Sequence, residues 1–389
     1  MKHFACMMLI PWVFVSCSSQ TRSDSEPVDA LPDSCPNCAT SDVADTHPDT
    51  LLDTHPDTSN DADPDVLSGD GDCEHPKVEA NCRDGWCSIP AGCYIMGANK
   101  SDFGTGPSES PVQITLTRPF QIQQNMFTYA DWTALGLQIP DVDMGTKCSE
   151  PMCPIFFVNT FEAWMLANLV SEKHNPPLPP CYELGGCTGE IGEEATCKSV
   201  KLTAPTLYEC QGFRLPSEFE WEYAARAGTK TPFYSGDYSP GTTYQQAQSC
   251  DGEPILDQIA WYCGNSGDRV HEVGKKLPNQ WGLHDVIGNV IEITNDPDRV
   301  MFPQDPLVDP GGAFVEHRIR GARSKFFNSW PAILRVAYRS SVLVEMRGVG
   351  VRLVRTGTEN PGPLPTSTPK PDKTTKAKPK PAPAGKPKQ

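Results

Sequence analysis

The marked apolar run in this 389-residue chain, Phe4 to Val15, is too short to span a bilayer as a helix. Cysteine is absent beyond Cys263, which removes thiol chemistry from the C-terminal third of the chain. No HxxxH pair exists to set two imidazoles on one helical face, the usual arrangement of a helical metal site. No Lys or Arg run interleaved with aromatics occurs in the interior, which excludes nucleic acid as a partner. Hydrophobic residues make up only 38%, against 39 Pro and 31 Gly, so much of the chain is not packed. One globular domain with disordered flanks is the expected organisation.

Charge is unevenly placed. Residues 18–72 carry thirteen Asp and one Glu against a single basic residue, Arg22, and read as a solvated acidic linker. Within it DTHPDT occurs at Asp45 to Thr50 and again at Asp53 to Thr58; nothing there buries apolar area or fixes metal-ligand geometry. Residues 356–389 hold seven Lys interleaved with Pro against Glu359 and Asp372, a stiff basic tail.

Residues 1–17 have the form of a signal peptide: Lys2 and His3, the apolar run, then Ser16 and Cys17. The ending resembles a bacterial lipoprotein cleavage box, with Phe14 where Leu is usual. Cys17 is then the lipidated first residue, and the chain is exported and anchored in the bacterial cell envelope; the alternative is a soluble secreted protein. Setting Cys6 and Cys17 aside leaves fourteen of the sixteen cysteines, an even number in an exported chain, and all are expected to form disulfides. Spacings such as Cys82 to Cys87, Cys148 to Cys153, Cys181 to Cys187 and Cys197 to Cys210 suit local loop closures, although spacing does not fix connectivity. Cys35 and Cys38 lack a flanking strand and helix and read as a tight structural disulfide rather than a redox motif.

Order begins near Trp86, where SIPAGCYIMGAN reads as a strand, a Gly-containing turn and a second apolar stretch. Val112 to Ile122 alternates at period two, as a half-buried strand does. FEAWMLANLVSEKHN places Phe161, Trp164, Met165, Ala167 and Leu169 near helical spacing and ends before Pro176. SEFEWEYAARAG is a second helix: Ser217 is the N-cap, Glu220 completes a capping box, and Gly228 stops it. Glu218, Glu220 and Glu222 are therefore helix acids rather than the carboxylates of a glycoside-cleaving cleft, which must face each other across a gap.

IPAGCYIMG, SESPVQITLTRPFQIQ, CPIFFVNTFEAWMLAN, GFRLPSEFEWEYAARAGT, VGKKLPNQWGLHDVIGNVIE, RIRGARS and GVGVRLVR, in that order, resemble the formylglycine-generating enzyme or sulfatase-modifying factor family. The resemblance implies one α+β domain, residues 73–355, with a C-type-lectin-like fold, little regular secondary structure and long ordered loops. Family members that oxidise a sulfatase cysteine hold copper(I) on two thiolates five positions apart after the RGGS-like segment. Here those places hold Phe326 and Pro331, so copper is not expected. Cys82 with Cys87 and Cys148 with Cys153 share the spacing but precede the RLPSEFEWEYAAR helix. The iron-dependent sulfoxide synthases resemble the chain only in the shared domain. Many relatives bind a structural calcium ion through the Asn and Glu of the GNV loop, which match Asn289 and Glu292. The other reading is that Asn289 turns the backbone and Glu292 pairs with an arginine.

These features point to a non-catalytic ligand-binding or assembly module, with no catalytic residues assigned. Its expected partners are the membrane, through the lipid, and an envelope glycan or protein, held by the segments Pro176 to Cys210 and Tyr234 to Tyr262. The alternative is a metal-dependent oxidase acting on a protein cysteine, which requires a free cysteine pair near His284, His317 or Asn328.

Overall fold

The computed structural model describes residues 73, 75–140, 148–298, 301, 303, 305–311 and 318–365. Cys17, the acidic linker, Cys35 and Cys38, His317 and the tail beyond residue 365 lie outside the described residues. No helix among the described residues is long and apolar enough to cross a membrane.

The strands are short: β1 (Cys82–Arg83), β2 (Trp86–Ile89), β3 (Gly92–Met96), β4 (Val112–Leu116), β5 (Phe120–Gln123), β6 (Tyr182–Gly185), β7 (Ser199–Leu202), β8 (Glu292–Pro297), β9 (Leu307–Val308), β10 (Ile319–Arg323), β11 (Ser340–Leu343) and β12 (Val354–Thr356). They form small sheets in the orders β1-β2-β5-β12, β11-β10-β8, β3-β4-β9 and β6-β7. The pairings are antiparallel except β4 with β9.

The run Val112 to Ile122 is two strands in two sheets, not the single half-buried strand its alternation suggests. Pro119 has no N–H for a ladder and interrupts the run. Before it, Val112, Ile114 and Leu116 face the core alternately; after it, every residue of the central strand β5 is buried.

Helices α1 (Tyr129–Ala134), α2 (Thr160–Lys173) and α3 (Glu218–Arg226) each begin at a complete capping box, on Thr128 with Asp131, Asn159 with Glu162, and Ser217 with Glu220. In each, two of the otherwise unmatched first-turn N–H groups are satisfied locally. Two further short helices, α4 (Tyr244–Ala247) and α5 (Pro254–Ile259), lie in the following loops. Helix α3 ends on Ala227 in the left-handed region, with Gly228 after it. It is buried on every side, between one core that includes Tyr94, Ile114, Phe219, Trp221 and Trp281 and a second that includes Trp164, Phe213, Ile293 and Val351. Helix α2 buries Phe161, Trp164, Leu166, Ala167 and Val170, and each large side chain among them contributes about 1.5–3 kcal/mol by leaving water.

Candidate functional site

Burial of α3 forces its charges to find partners inside the protein. Arg214 donates to both oxygens of Glu220 at 2.7 Å, and Glu220 also accepts the Ser217 N–H at 2.9 Å. Glu218 and Glu222, one turn apart, converge on Arg323 at 3.7 and 2.9 Å. Arg339 adds two hydrogen bonds to Glu218, at 2.9 and 3.0 Å, and Arg226 donates to Glu222 at 2.9 Å. Burial alone would raise the Glu222 carboxyl, but Arg226, Arg323 and the Gly97 N–H outweigh it and hold the group below the usual carboxylate range. All three glutamates thus serve as counter-ions within the core. None faces a second carboxylate across a cleft.

The GNV loop is equally engaged. Asn289 sits at φ 60°; its Oδ1 accepts the His271 N–H and its Nδ2 donates to the His271 carbonyl, both at 3.0 Å. Arg352 donates to the two Glu292 oxygens at 2.9 and 2.8 Å, and Trp221 Nε1 donates to Glu292 Oε2 at 2.7 Å. Asn289 and Glu292, the two residues expected to hold calcium, thus lie on one loop with their side chains bonded to His271 and to Arg352 and Trp221. A cation at Glu292 would have to displace a guanidinium that is itself fully buried. Asp285, on the same loop, is raised by burial, with the Gly274 N–H as its counterweight. Among the described residues no three His, Cys, Asp or Glu side chains are grouped to hold a metal ion.

The twelve described cysteines all pair: Cys73–Cys93, Cys82–Cys87, Cys148–Cys153, Cys181–Cys210, Cys187–Cys197 and Cys250–Cys263. Two of the local closures suggested by spacing are present. The other two are replaced by a nested arrangement, because β6 and β7 form a hairpin that brings Cys187 against Cys197 and leaves Cys181 to the chain beyond it. Six disulfides are the state of a domain folded in an oxidising compartment, and hence of an exported chain.

Residues 74–357 match the Sulfatase-modifying factor enzyme 1-like domain. The chain belongs to that family. Among curated relatives it is 29% identical over 188 residues to the chaperone protein LppX of Paenibacillus barcinonensis, covering 48% of this chain and 64% of that one. The chain therefore spans less than two thirds of that relative. It is 26% identical over 233 residues to the formylglycine-generating enzyme of Mycobacterium tuberculosis (strain ATCC 25618 / H37Rv), covering 53% of this chain and 72% of that one. Two solved structures share the fold. Treponema denticola variable protein 1 has a TM-score of 0.52 at 24% identity, with 69% of this chain and 94% of that one covered. PvdO from Pseudomonas aeruginosa has a TM-score of 0.51 at 23% identity, with 72% and 98% covered.

Measured against the family's copper-thiolate pattern, the donor set does not fit. Phe326 is half-buried and packs beside Met126 and Phe156 in a small third core, and Pro331 is buried where it opens a 3₁₀ turn, Pro331–Ile333. Neither side chain has a donor atom for a metal. Trp330, between them, is 42% exposed, and the Cys263 N–H donates to the Ser329 carbonyl at 3.1 Å, tying this loop to the Cys250–Cys263 disulfide. His284 is committed to the Lys276 carbonyl at 2.9 Å, and Asn328 is exposed with no free cysteine near it among the described residues.

The two segments expected to form a binding surface lie among the described residues. The first, residues 176–210, holds the β6-β7 hairpin, whose Lys198 and Val200 border a cavity of about 810 Å³ with Phe161 and Trp164 of α2. The second, residues 234–262, presents Tyr244 from α4, which packs near Phe103 with ring centroids 6.0 Å apart. A feature that sequence reasoning missed lies at the domain's edge: His75 is enclosed by Tyr94, Tyr223 and Trp281. Its only sequence signal was its position just past the acidic linker.

Proposed function

We propose that this chain is a non-catalytic member of the sulfatase-modifying factor family, a ligand-binding or assembly module held at the cell envelope by lipid on Cys17. The observation that carries the reading is the replacement of the two thiol places by Phe326 and Pro331, in a domain whose described cysteines are all in disulfides. Copper(I) requires soft ligands, and a phenyl ring and a pyrrolidine supply none. The family fold is kept, as in a scaffold whose value lies in its loops. Likeness to a protein named as a chaperone supports the assembly half of the reading; the ligand is an envelope glycan or protein.

The test is direct. Non-reducing alkylation with mass spectrometry, copper(I) titration, and incubation with oxygen and a peptide bearing a Cys, Pro and Arg motif should give no labelled thiol in the domain, no stoichiometric copper and no formylglycine. Formylglycine in the peptide would overturn the proposal in favour of an oxidase. Mass spectrometry of the mature N-terminus tests the lipid on Cys17.

A further inference from the structure

The segment between Cys73 and Cys82 is stapled at both ends, by Cys73–Cys93 and Cys82–Cys87, yet residues 77–81 between them are exposed and outside any helix or strand. His75 enters the domain from this strap. Its ring stacks on Tyr223 with centroids 4.5 Å apart, lies 4.7 Å from Trp281 and meets Tyr94 edge-on at 6.1 Å. Pro76 presses on Gly92, where an added Cβ would approach it to 2.7 Å, so the strap lies tightly on β3.

The polar atoms in this box are poorly served. His75 Nε2 has only 3.3 Å contacts, to the Tyr223 carbonyl and the Gly228 N–H. His75 Nδ1 and the Tyr223 hydroxyl are buried without a hydrogen-bond partner. The charged group acting on the ring comes from α3: Arg226, which opposes a second positive charge, while the oxygens of Glu222 on the same helix are committed to Arg226, Arg323 and the Gly97 N–H. From β3 comes the neutral Tyr94, and from the loop before the GNV segment comes Trp281. No free carboxylate among these groups awaits an imidazolium.

We propose that residues 75–81 are an acid-opened cover over the aromatic box of Tyr94, Tyr223 and Trp281, with His75 as the titrating plug and the two disulfides as the hinges that keep the strap in register. The neutral imidazole fits the box; a protonated one is expelled toward water, and the strap lifts while its ends stay tethered. Burial outweighs the backbone groups of Tyr223 and Pro76, which favour the imidazolium, and with Arg226 adding to it lowers the His75 pKa from 6.5 to about 4. A depressed folded value means the closed state is favoured in full above pH 6.5 and loses ground as pH falls toward 4. The opening equilibrium then shifts by up to about 300-fold in all, the full factor being reached only below pH 4. What is uncovered at low pH is a three-sided aromatic surface suited to an apolar or aromatic group.

The experiment compares the full chain with His75→Phe, which keeps a ring in the box and cannot titrate. The ring resonances of Tyr94, Tyr223 and Trp281, which the strap covers, are followed from pH 7.5 to 4.5, with the His75 ring resonances recorded in the wild type. Movement of these three rings toward solvent-exposed shifts in the wild type alone, tracking a His75 titration well below 6.5, is the expected result. Equal movement in both proteins, or none in the wild type, would overturn the proposal. If His75→Phe fails to fold, the wild-type titration decides: a His75 midpoint near 6.5 refutes the plug.

Discussion

At the level of single residues, the arginines of the family motifs act as counter-ions, and their loss should be costly. Arg323 sits under both Glu218 and Glu222 with 1% of its side chain exposed. Arg323→Met leaves Glu222 with Arg226 and Glu218 with Arg339, so the cost should fall below the roughly 3–5 kcal/mol of a buried charge left with no partner, at about 2–3 kcal/mol. Denaturant titration at pH 7 measures it. Because Glu222 titrates below its ordinary value of 4.5, its contribution is present above that pH and fades as pH falls through the folded value. The difference between wild type and Glu222→Gln should therefore shrink only on the acid side of pH 4.5. Glu292 supports a second expectation. With Arg352 on both oxygens, thermal unfolding should be the same with calcium or with a chelator, and Glu292→Gln should lower the midpoint equally in both. A calcium-dependent rise in the wild type would mean that the ion replaces the guanidinium. Little of this pairing was legible in the sequence, because Glu222 and Arg323 lie 101 positions apart and nothing local joins them.

At the level of elements, legibility follows how local the determining interaction is. The cap of α3 spans four residues and could be read from Ser217 and Glu220, and its stop from Gly228. Val112 to Ile122 misled because alternation reports which face is buried, not which sheet is joined, and Pro119 separates two sheets within one run. The box around His75 draws on the strap, β3, α3 and a distant loop, so no window of the chain contained it. The cap also gives a graded prediction. Ser217→Ala removes an acceptor from the Glu220 N–H and should cost about 1 kcal/mol. Glu220→Ala also strands Arg214 in the core and should cost roughly 3–5 kcal/mol. If the two variants melt together, the capping box alone accounts for Glu220 and the Arg214 pair contributes nothing.

At the level of the whole molecule, a fold of short strands and long loops relies on its covalent cross-links as well as its cores. The disulfides differ in what they close: Cys82–Cys87 joins neighbours five apart, whereas Cys181–Cys210 closes a separation of 29 and encloses Cys187–Cys197 within it. If the links act chiefly by restricting the unfolded chain, stability should scale with loop length. Replacing both cysteines of Cys181–Cys210 by alanine should then cost about 3.5 kcal/mol, and doing the same at Cys82–Cys87 about 2. Both cysteines of the longer bridge are also buried beside Tyr182 and Phe213 in the second core, so their replacement removes packing in the same direction. With Cys187–Cys197 intact, the hairpin between β6 and β7 should survive in the Cys181–Cys210 variant as a locally closed loop. Denaturant curves of the two double variants test the ordering. Equal losses would shift the weight from chain entropy to local packing, and a larger loss at Cys82–Cys87 would mark the strap and its junction with β2 as the part of the domain on which the rest depends.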